Sequence, residues 1–354
     1  MATVTDAGVE LDGVSVDFGD VSALNDVSIT VEHGEFFTLV GPSGCGKTTT
    51  LRAIAGFESP TEGTVAIDGE DVTGRPPEDR NVGVVFQNYA LFPHMNVREN
   101  VAYGLRFRDP PGGVPRRERV DELLELVDMA ELGERDPTEL SGGQQQRIAL
   151  ARALAPGPEV LLLDEPLSAL DVRLRERLRV TLREIQQSLD ITTVYVTHDQ
   201  EEALAISDRV AVVADGEIEQ VGSPEQIYRS PASRFVAEFV GDNNVFEAAV
   251  DGSDPPRVSI DDQTVPLAAA STVTPGERAT LSIRPEDLSF DERDVAITAT
   301  VEQVEFLGDA YRVHCEWGEM PILVKTTHDE IPRGTTTIWF DAPDVHVVGR
   351  SVTE

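Results

Sequence analysis

Residues 41–50, Gly-Pro-Ser-Gly-Cys-Gly-Lys-Thr-Thr-Thr, carry the spacing G-x-x-x-x-G-K-[ST]. Gly41, Gly44 and Gly46 let backbone N–H groups face inward on phosphate oxygens, with Pro42, Ser43, Cys45 and Thr49 completing the loop. Lys47 brings positive charge to the β- and γ-phosphates, and the Thr48 hydroxyl suits Mg²⁺. Two carboxylates, Asp164 and Glu165, end the apolar run 160–163, and His198 follows another such run, 193–196. Ligands of open parallel sheets bind outside the carboxyl ends of the strands. From there Asp164 can hold a hard cation directly or through water, and Glu165 can polarise an attacking water. Phosphoryl transfer needs this equipment: positioning, charge neutralisation and an oriented water.

Such groups must be held by a sheet with helices around it, and the patterning supplies one. Residues 37–40 read as an apolar strand entering the glycine loop, and Leu51, Ile54 and Ala55 mark the inner face of a helix leaving it. The positive dipole end of that helix adds to the anion site. Before the loop, 9–18 and 24–31 alternate apolar with polar, which predicts antiparallel strands, with Phe18 at a strand end. After it, 63–67 and 82–86 read as strands around the Pro/Gly/acid-rich stretch 68–80, and Gln87 follows the second directly. Residues 97–132 turn helical, with Val120, Leu123, Leu124 and Val127 at helical spacing and a break at 109–113. Leu140-Ser141-Gly142-Gly143-Gln144 precedes a helix to Leu154. A helix from Asp171 places Leu178, Leu182, Ile185 and Leu189 on one face, and another begins at Asp199. Alternating strand and helix predicts a parallel sheet with helices outside. Residues 210–221 read as a hairpin, and two short helices lead to Gly241-Asp242, where the expected domain boundary lies. From 242 to 354 short alternating strands separated by Gly, Pro and Asp predict an all-β, barrel-like domain.

The chain is long enough for two cores. Its 354 residues carry a formal net charge of −35, with 64 acidic against 29 basic residues. Lys47 and Lys325 are its only lysines. An excess of this size destabilises a compact chain by self-repulsion in dilute salt and is screened at high ionic strength. The expectation is a cytoplasm of molar salt, as in the acidic proteins of salt-accumulating halophilic archaea. Two cysteines, Cys45 and Cys315, make no disulfide framework and suit a reducing compartment. Cys45, near a helix start, is either an oxidisable thiol or a plain loop position. No charged-then-apolar leader opens the chain, and no apolar run approaches the roughly 20 residues of a membrane helix, so a soluble chain is expected.

Taken together, the loop 41–48, Gln87, the segment 140–144, Asp164-Glu165, Ser168-Ala169-Leu170-Asp171 and His198, in that order, resemble the ATP-binding subunit of ABC transporters. The C-terminal stretches 283–287 (Ile-Arg-Pro-Glu-Asp) and 304–309 (Val-Glu-Phe-Leu-Gly-Asp) resemble the TOBE patterns of importer ATPases. The resemblance implies an α/β P-loop NTPase cassette over 1–241, with parallel-sheet core, antiparallel β subdomain and helical subdomain. An all-β OB-like TOBE domain over 242–354 would follow. It implies ATP and Mg²⁺ as cofactors, with Thr48, Gln87 and Asp164 around the metal, and Glu165, His198 and Gln87 as catalytic residues. Phe18 stacks on adenine in this reading, an apolar core role being the alternative. Leu140, Ser141, Gly142, Gly143 and Gln144 are the signature, which meets the nucleotide of a second chain, and Asp171 of the D-loop bridges the two sites. The implied partners are a second copy, in a head-to-tail homodimer, transmembrane permease subunits and, indirectly, an extracellular solute-binding protein. The implied place is the cytoplasmic face of the cell membrane. Ferric iron or polyamine is the favoured cargo, with sugar, thiamine, sulfate and molybdate as alternatives. The rival class is a soluble ABC ATPase acting on nucleic acid or ribosomes, whose long coiled coil or zinc cysteines are missing from the loop-to-signature interval.

Overall fold

The computed structural model describes residues 7–260, 263–268 and 273–352. The chain forms two compact units, one running to Pro224 and the other from Glu225 onward. In the first, β1 (Ala7–Phe18), β2 (Val21–Glu32), β4 (Glu62–Ile67) and β5 (Glu70–Asp71) form an antiparallel sheet in the order β2-β1-β4-β5. The alternation read in the sequence is kept from Val9 onward: Val9, Leu11, Val14 and Val16 are buried while Glu10, Asp12, Gly13, Ser15 and Asp17 are partly or fully exposed.

A second, six-stranded sheet contains β3 (Phe36–Val40), β6 (Val82–Val85), β7 (Val160–Asp164), β8 (Thr192–Thr197), β9 (Arg209–Ala214) and β10 (Glu217–Gly222), in the order β10-β9-β3-β8-β7-β6. All are parallel except β10, which closes the β9 hairpin antiparallel. Every residue of β3 and β8 is buried, as expected of parallel strands covered on both faces. The helix α1 (Lys47–Ala55) leaves the end of β3. Packed with the sheet are α5 (Val172–Leu189) and α6 (Gln200–Ile206). Leu178, Leu182 and Ile185 of α5 are buried as their spacing predicts. Leu189 at the helix end is 38% exposed, because the left-handed Asp190 terminates the helix there.

The helical stretch between 97 and 154 resolves into α2 (Val97–Ala102), α3 (Arg116–Leu126) and α4 (Gly142–Leu154), with short 3₁₀ turns between them. Val97, Val101, Val120, Leu123, Leu124 and Ile148 share one core with Phe36 and Tyr195 of the sheet. Asn96 caps α2 through a reciprocal bond with Glu99, and Asn100 donates to the carbonyls of Phe92, Met95 and Asn96, so the chain entering α2 is fully satisfied.

The second unit begins at Glu225, earlier than the expected boundary at 241/242, and takes in nearly all of α7 (Pro224–Arg229) and α8 (Arg234–Phe239), the latter packed on the β strands that follow. Arg284 is buried, donates to the carbonyls of Tyr228, Val240 and Asp242, and stacks on the Tyr228 ring. The strands β11 (Asn244–Ser253), β12 (Pro256–Ile260), β13 (Gln263–Pro266), β14 (Glu277–Ile283), β15 (Val295–Phe306), β16 (Tyr311–Trp317), β17 (Met320–Thr326), β18 (Gly334–Phe340) and β19 (His346–Val352) follow. They make two antiparallel sheets, β13-β12-β11-β14-β19 and β17-β16-β15-β18, over one apolar core. Cys315 is buried in that core, which pushes its thiol up to about 11 and leaves it inert at neutral pH.

Candidate active site

The glycine loop is forced by close approach as much as by flexibility. A Cβ on Gly41 would stand 2.2 Å from the Val213 carbonyl, and Gly46, at φ 105°, would press against the Ala23 carbonyl and Leu24. These contacts seat the loop against β2 and β9 and start α1 at Lys47. Pro42, Ser43 and Gly44 form an exposed rim, Cys45 is buried, and Thr49 is half-buried. Lys47 is buried; its Nζ donates to the carbonyls of Gly41 and Pro42 at 2.8 Å each and lies 3.7 Å from Cys45 Sγ. A cation is thereby held inside the curl of the loop.

Beside it, Thr48 Oγ1 donates to Asp164 Oδ1 at 3.0 Å, bringing together two of the residues expected around a metal. Burial raises the Asp164 carboxyl above its usual range; the Thr48 bond opposes this and the Glu165 carboxylate adds to it. Glu165 has a left-handed backbone, φ 44°, which is uncommon for a residue with a side chain. Its N–H donates to the Val196 carbonyl, and the Ser168 hydroxyl donates to the Glu165 carbonyl at 2.9 Å, so the turn is held from both sides.

The three residues expected to be catalytic converge on one atom. His198 Nδ1 is 3.1 Å from Glu165 Oε2, and Gln87 Nε2 is 3.4 Å from the same oxygen and 3.3 Å from Ser168 Oγ. Each comes from the carboxyl end of a different parallel strand: Gln87 after β6, Glu165 after β7, His198 after β8. A carboxylate held by a histidine and an amide on one oxygen can turn its other oxygen toward a water, an arrangement able to serve as a general base.

Ser141 caps α4: its hydroxyl accepts from Gln144 N, and Gln144 Oε1 accepts from Ser141 N at 2.9 Å. A Cβ on Gly142 would meet Leu170, and one on Gly143 would meet Leu174 and Leu178 at 3.0–3.2 Å, so both glycines permit α4 to pack on the D-loop and α5. Leu140 is half-buried against the helical core. Asp171 caps α5 by accepting from Leu174 N at 3.0 Å. Phe18 is 50% exposed at the end of β1, next to Val21 at 65%, so the core role is excluded and its ring is accessible.

Sequence patterns had not singled out Ser168 as the brace of Glu165, nor Arg152, which donates to the carbonyls of Tyr89 and Ala90 and fixes the loop after Gln87. Arg175 and Glu202 were missed too, each lying close in sequence to a motif residue. The Asp199-to-Glu202 spacing is that of a capping box, but the Glu202 side chain turns inward, to Tyr195 and Thr197.

Comparison with known families and proteins places the chain by sequence and fold. Residues 24–168 match the family described as ABC transporter, and residues 281–348 match the TOBE domain. The spermidine/putrescine import ATP-binding protein PotA of Roseobacter denitrificans is 47% identical over 326 residues, 90% of each chain. PotA of Pseudomonas fluorescens is 49% identical over 306 residues, 84% of this chain and 82% of its own. A dimeric ATP-binding cassette in a post-hydrolysis state with ADP and Pi superposes with TM-score 0.54 at 35% identity, covering 61% of this chain and 98% of its own. The chain belongs to the ABC transporter family, as an ATP-binding cassette ATPase that continues into a TOBE domain.

Proposed function

We propose that the chain is the ATP-hydrolysing subunit of a polyamine importer, working as a homodimer on the cytoplasmic face of the membrane. The observation that carries the catalytic reading is the convergence of His198 and Gln87 on Glu165 Oε2, beside the Thr48–Asp164 pair. The cargo reading is supported by relatives at 47–49% identity that are named for spermidine and putrescine import. These relatives favour polyamine over ferric iron, sugar, thiamine, sulfate and molybdate, and over work on nucleic acid.

In this reading the inward N–H groups of 41–46 and Lys47 bind the phosphates, and Phe18 stacks on adenine. A hydroxyl and a carboxylate are the hard oxygen donors Mg²⁺ prefers, so Thr48 and Asp164 would hold the ion, with Gln87 at its edge. When bound, Mg²⁺ supplies charge neutralisation between the phosphates. Glu165 takes the proton of the attacking water while His198 holds the carboxylate in place and faces the γ-phosphate. Ser141, Gly142 and Gly143 of a second chain close the site from the opposite side, and Asp171 links the two sites.

Among the described residues no helix is long and apolar enough to cross a membrane. In this reading separate permease subunits carry the translocation. Their docking place is the cleft of about 160 Å³ lined by Asn88, Tyr89, Leu91, Pro93, Pro137 and Gln145. It follows Gln87 directly, and the buried Tyr89 hydroxyl has no hydrogen-bond partner among the described residues, a group a docking backbone would satisfy. Phe92, Tyr103 and the exposed Phe107 continue the apolar surface beside it.

The test is ATP-dependent dimerisation of Glu165→Gln in molar KCl, beside hydrolysis by the unmodified chain. A dimer that forms only with ATP and Mg²⁺ and hydrolyses poorly supports the site. Normal hydrolysis by the variant overturns it. For the cargo, the ATPase reconstituted with its permease and binding protein should be stimulated by spermidine, and stimulation by ferric iron or sugar alone would overturn that assignment.

A further inference from the structure

Arg175 belongs to none of the motifs above, yet its guanidinium meets two of them at once. From the first turn of α5 its Nη1 donates to Asp199 Oδ2 at 2.7 Å, and its Nη2 donates to the Leu170 carbonyl at 3.3 Å. Its Nε lies 3.4 Å from Glu202 Oε1. Leu170 immediately precedes Asp171, and Asp199 immediately follows His198. A single planar cation therefore joins the D-loop to the segment that carries the histidine.

That segment is cross-braced by its own hydrogen bonds. Glu202 is buried, and its Oε2 accepts from the Tyr195 hydroxyl at 2.7 Å and from Thr197 Oγ1 at 2.8 Å. Asp199 N donates to Thr197 Oγ1, and Asp199 Oδ1 accepts from Glu202 N. A buried carboxylate persists only with hydrogen bonds and a counter-charge, and Arg175 is the cation in contact with it. Residues 197–202 are thus tied together by these bonds, with His198 among them and Arg175 reaching them from α5. Lysine offers a point charge in place of the planar fork that reaches the Leu170 carbonyl and the Asp199 carboxylate together.

We propose that Arg175, acting with Glu202, is a positioning residue that couples the D-loop to His198. A shift of Leu170 and Asp171, when a second chain closes against them, passes through the guanidinium to Asp199 and resets the distance between His198 and Glu165. This coupling rests on the reading of His198 and Glu165 as the hydrolytic pair and of Asp171 as the residue facing the second site. It makes each site's hydrolysis depend on the state of the interface, which a purely structural ion pair would not do.

The experiment is steady-state ATP hydrolysis by the full chain in molar KCl, with ATP affinity measured separately by a fluorescent analogue. In Arg175→Met and in Glu202→Gln, affinity should stay within about twofold while kcat falls about tenfold to a hundredfold, the scale of a misplaced catalytic group. The Hill coefficient for ATP should fall toward one. Arg175→Lys should recover part of kcat and none of the cooperativity. Parental kcat and Hill coefficient in the folded variants overturn the proposal, as does a parent without cooperativity. If Arg175→Met fails to fold, the nearly isosteric Glu202→Gln decides alone. His198→Ala, measured alongside, separates the failures: an inactive His198→Ala with an unaltered Arg175→Met overturns the coupling only, whereas an active His198→Ala overturns the hydrolytic pair beneath it.

Discussion

His198 Nδ1 stands 3.1 Å from Glu165 Oε2, although the two residues end different strands and are 33 positions apart in sequence. The contact fixes which carboxylate oxygen is engaged and leaves the other for water. Replacing His198 by Ala should leave ATP affinity within about threefold and lower kcat by about a hundredfold, in the range for removing a group that acts in the transition state. Glu165→Gln should lower kcat further, by about a thousandfold or more, since it removes the base itself. A rise in KM with kcat unchanged in either variant would show that the pair serves binding and not hydrolysis.

Gly143 is placed where α4 crosses α5, with Leu174 and Leu178 within 3.0–3.2 Å of any added Cβ. Gly143→Val therefore presses the signature end of α4 against Leu174 and Leu178 and away from α5, at about 1–3 kcal/mol of overpacking. The phosphate loop lies on another element and is untouched. The monomer should bind ATP with parental affinity and fail to dimerise or hydrolyse. Loss of ATP binding in the monomer would place the damage in the nucleotide pocket and contradict the division of labour.

Much of the site was legible because its pieces are local. The loop 41–48 and the pair Asp164-Glu165 carry their chemistry in contiguous residues, and an apolar run before each announces the strand that presents it. What cannot be read locally is convergence: that Gln87, Glu165 and His198 meet on one oxygen depends on β6, β7 and β8 being neighbours, an order set by crossover connections. Arg175 was hidden for a related reason. On an amphipathic helix a charged residue near the start reads as solvent face, and only the arrival of Asp199 and Glu202 from another element gives it partners. The domain division at Pro224 was hidden by Arg284, whose hold on Tyr228 and Val240 spans more than forty residues and recruits two helices that pattern alone assigns to the cassette.

Asp287 gives a pH dependence with a definite sign. Its carboxyl is raised to about 6 by burial, with the Asp344 and Glu286 carboxylates adding to the effect. A carboxyl raised in the folded state binds its proton more tightly there than in the unfolded chain, so its contribution to stability is present below about pH 4 and is lost as pH rises through 6. At pH 7.5 the ionised group opposes folding. Asp287→Asn should therefore raise the melting temperature at pH 7.5, with the gain shrinking toward zero as pH falls below 4. A variant that is less stable than the parent at pH 7.5 would mean that the charged carboxylate has a favourable partner and that the sign is wrong.

The net charge of −35 acts on the whole molecule. The few cations are mostly engaged: Arg183 with Asp208, Arg209 with Glu35, Arg293 with Asp341 and Asp344, and Arg312 with Asp242. Pairing them leaves the acidic excess unneutralised, and its mutual repulsion falls off over a screening length of about 3 Å in 1 M salt against about 30 Å in 0.01 M. At the lower concentration most surface carboxylates repel one another across the fold; at the higher one only contacting pairs do. Circular dichroism of the full chain should show a melting temperature that climbs steeply between 0.01 M and 1 M KCl and a loss of structure on dialysis into millimolar salt. Pairs in direct contact, such as half-buried Arg175 with Asp199 at 2.7 Å, lie within the screening length and should hold in molar salt, so hydrolysis should survive there. A melting temperature independent of KCl would mean that local pairing compensates the charge, and that the acidity is not an adaptation to salt.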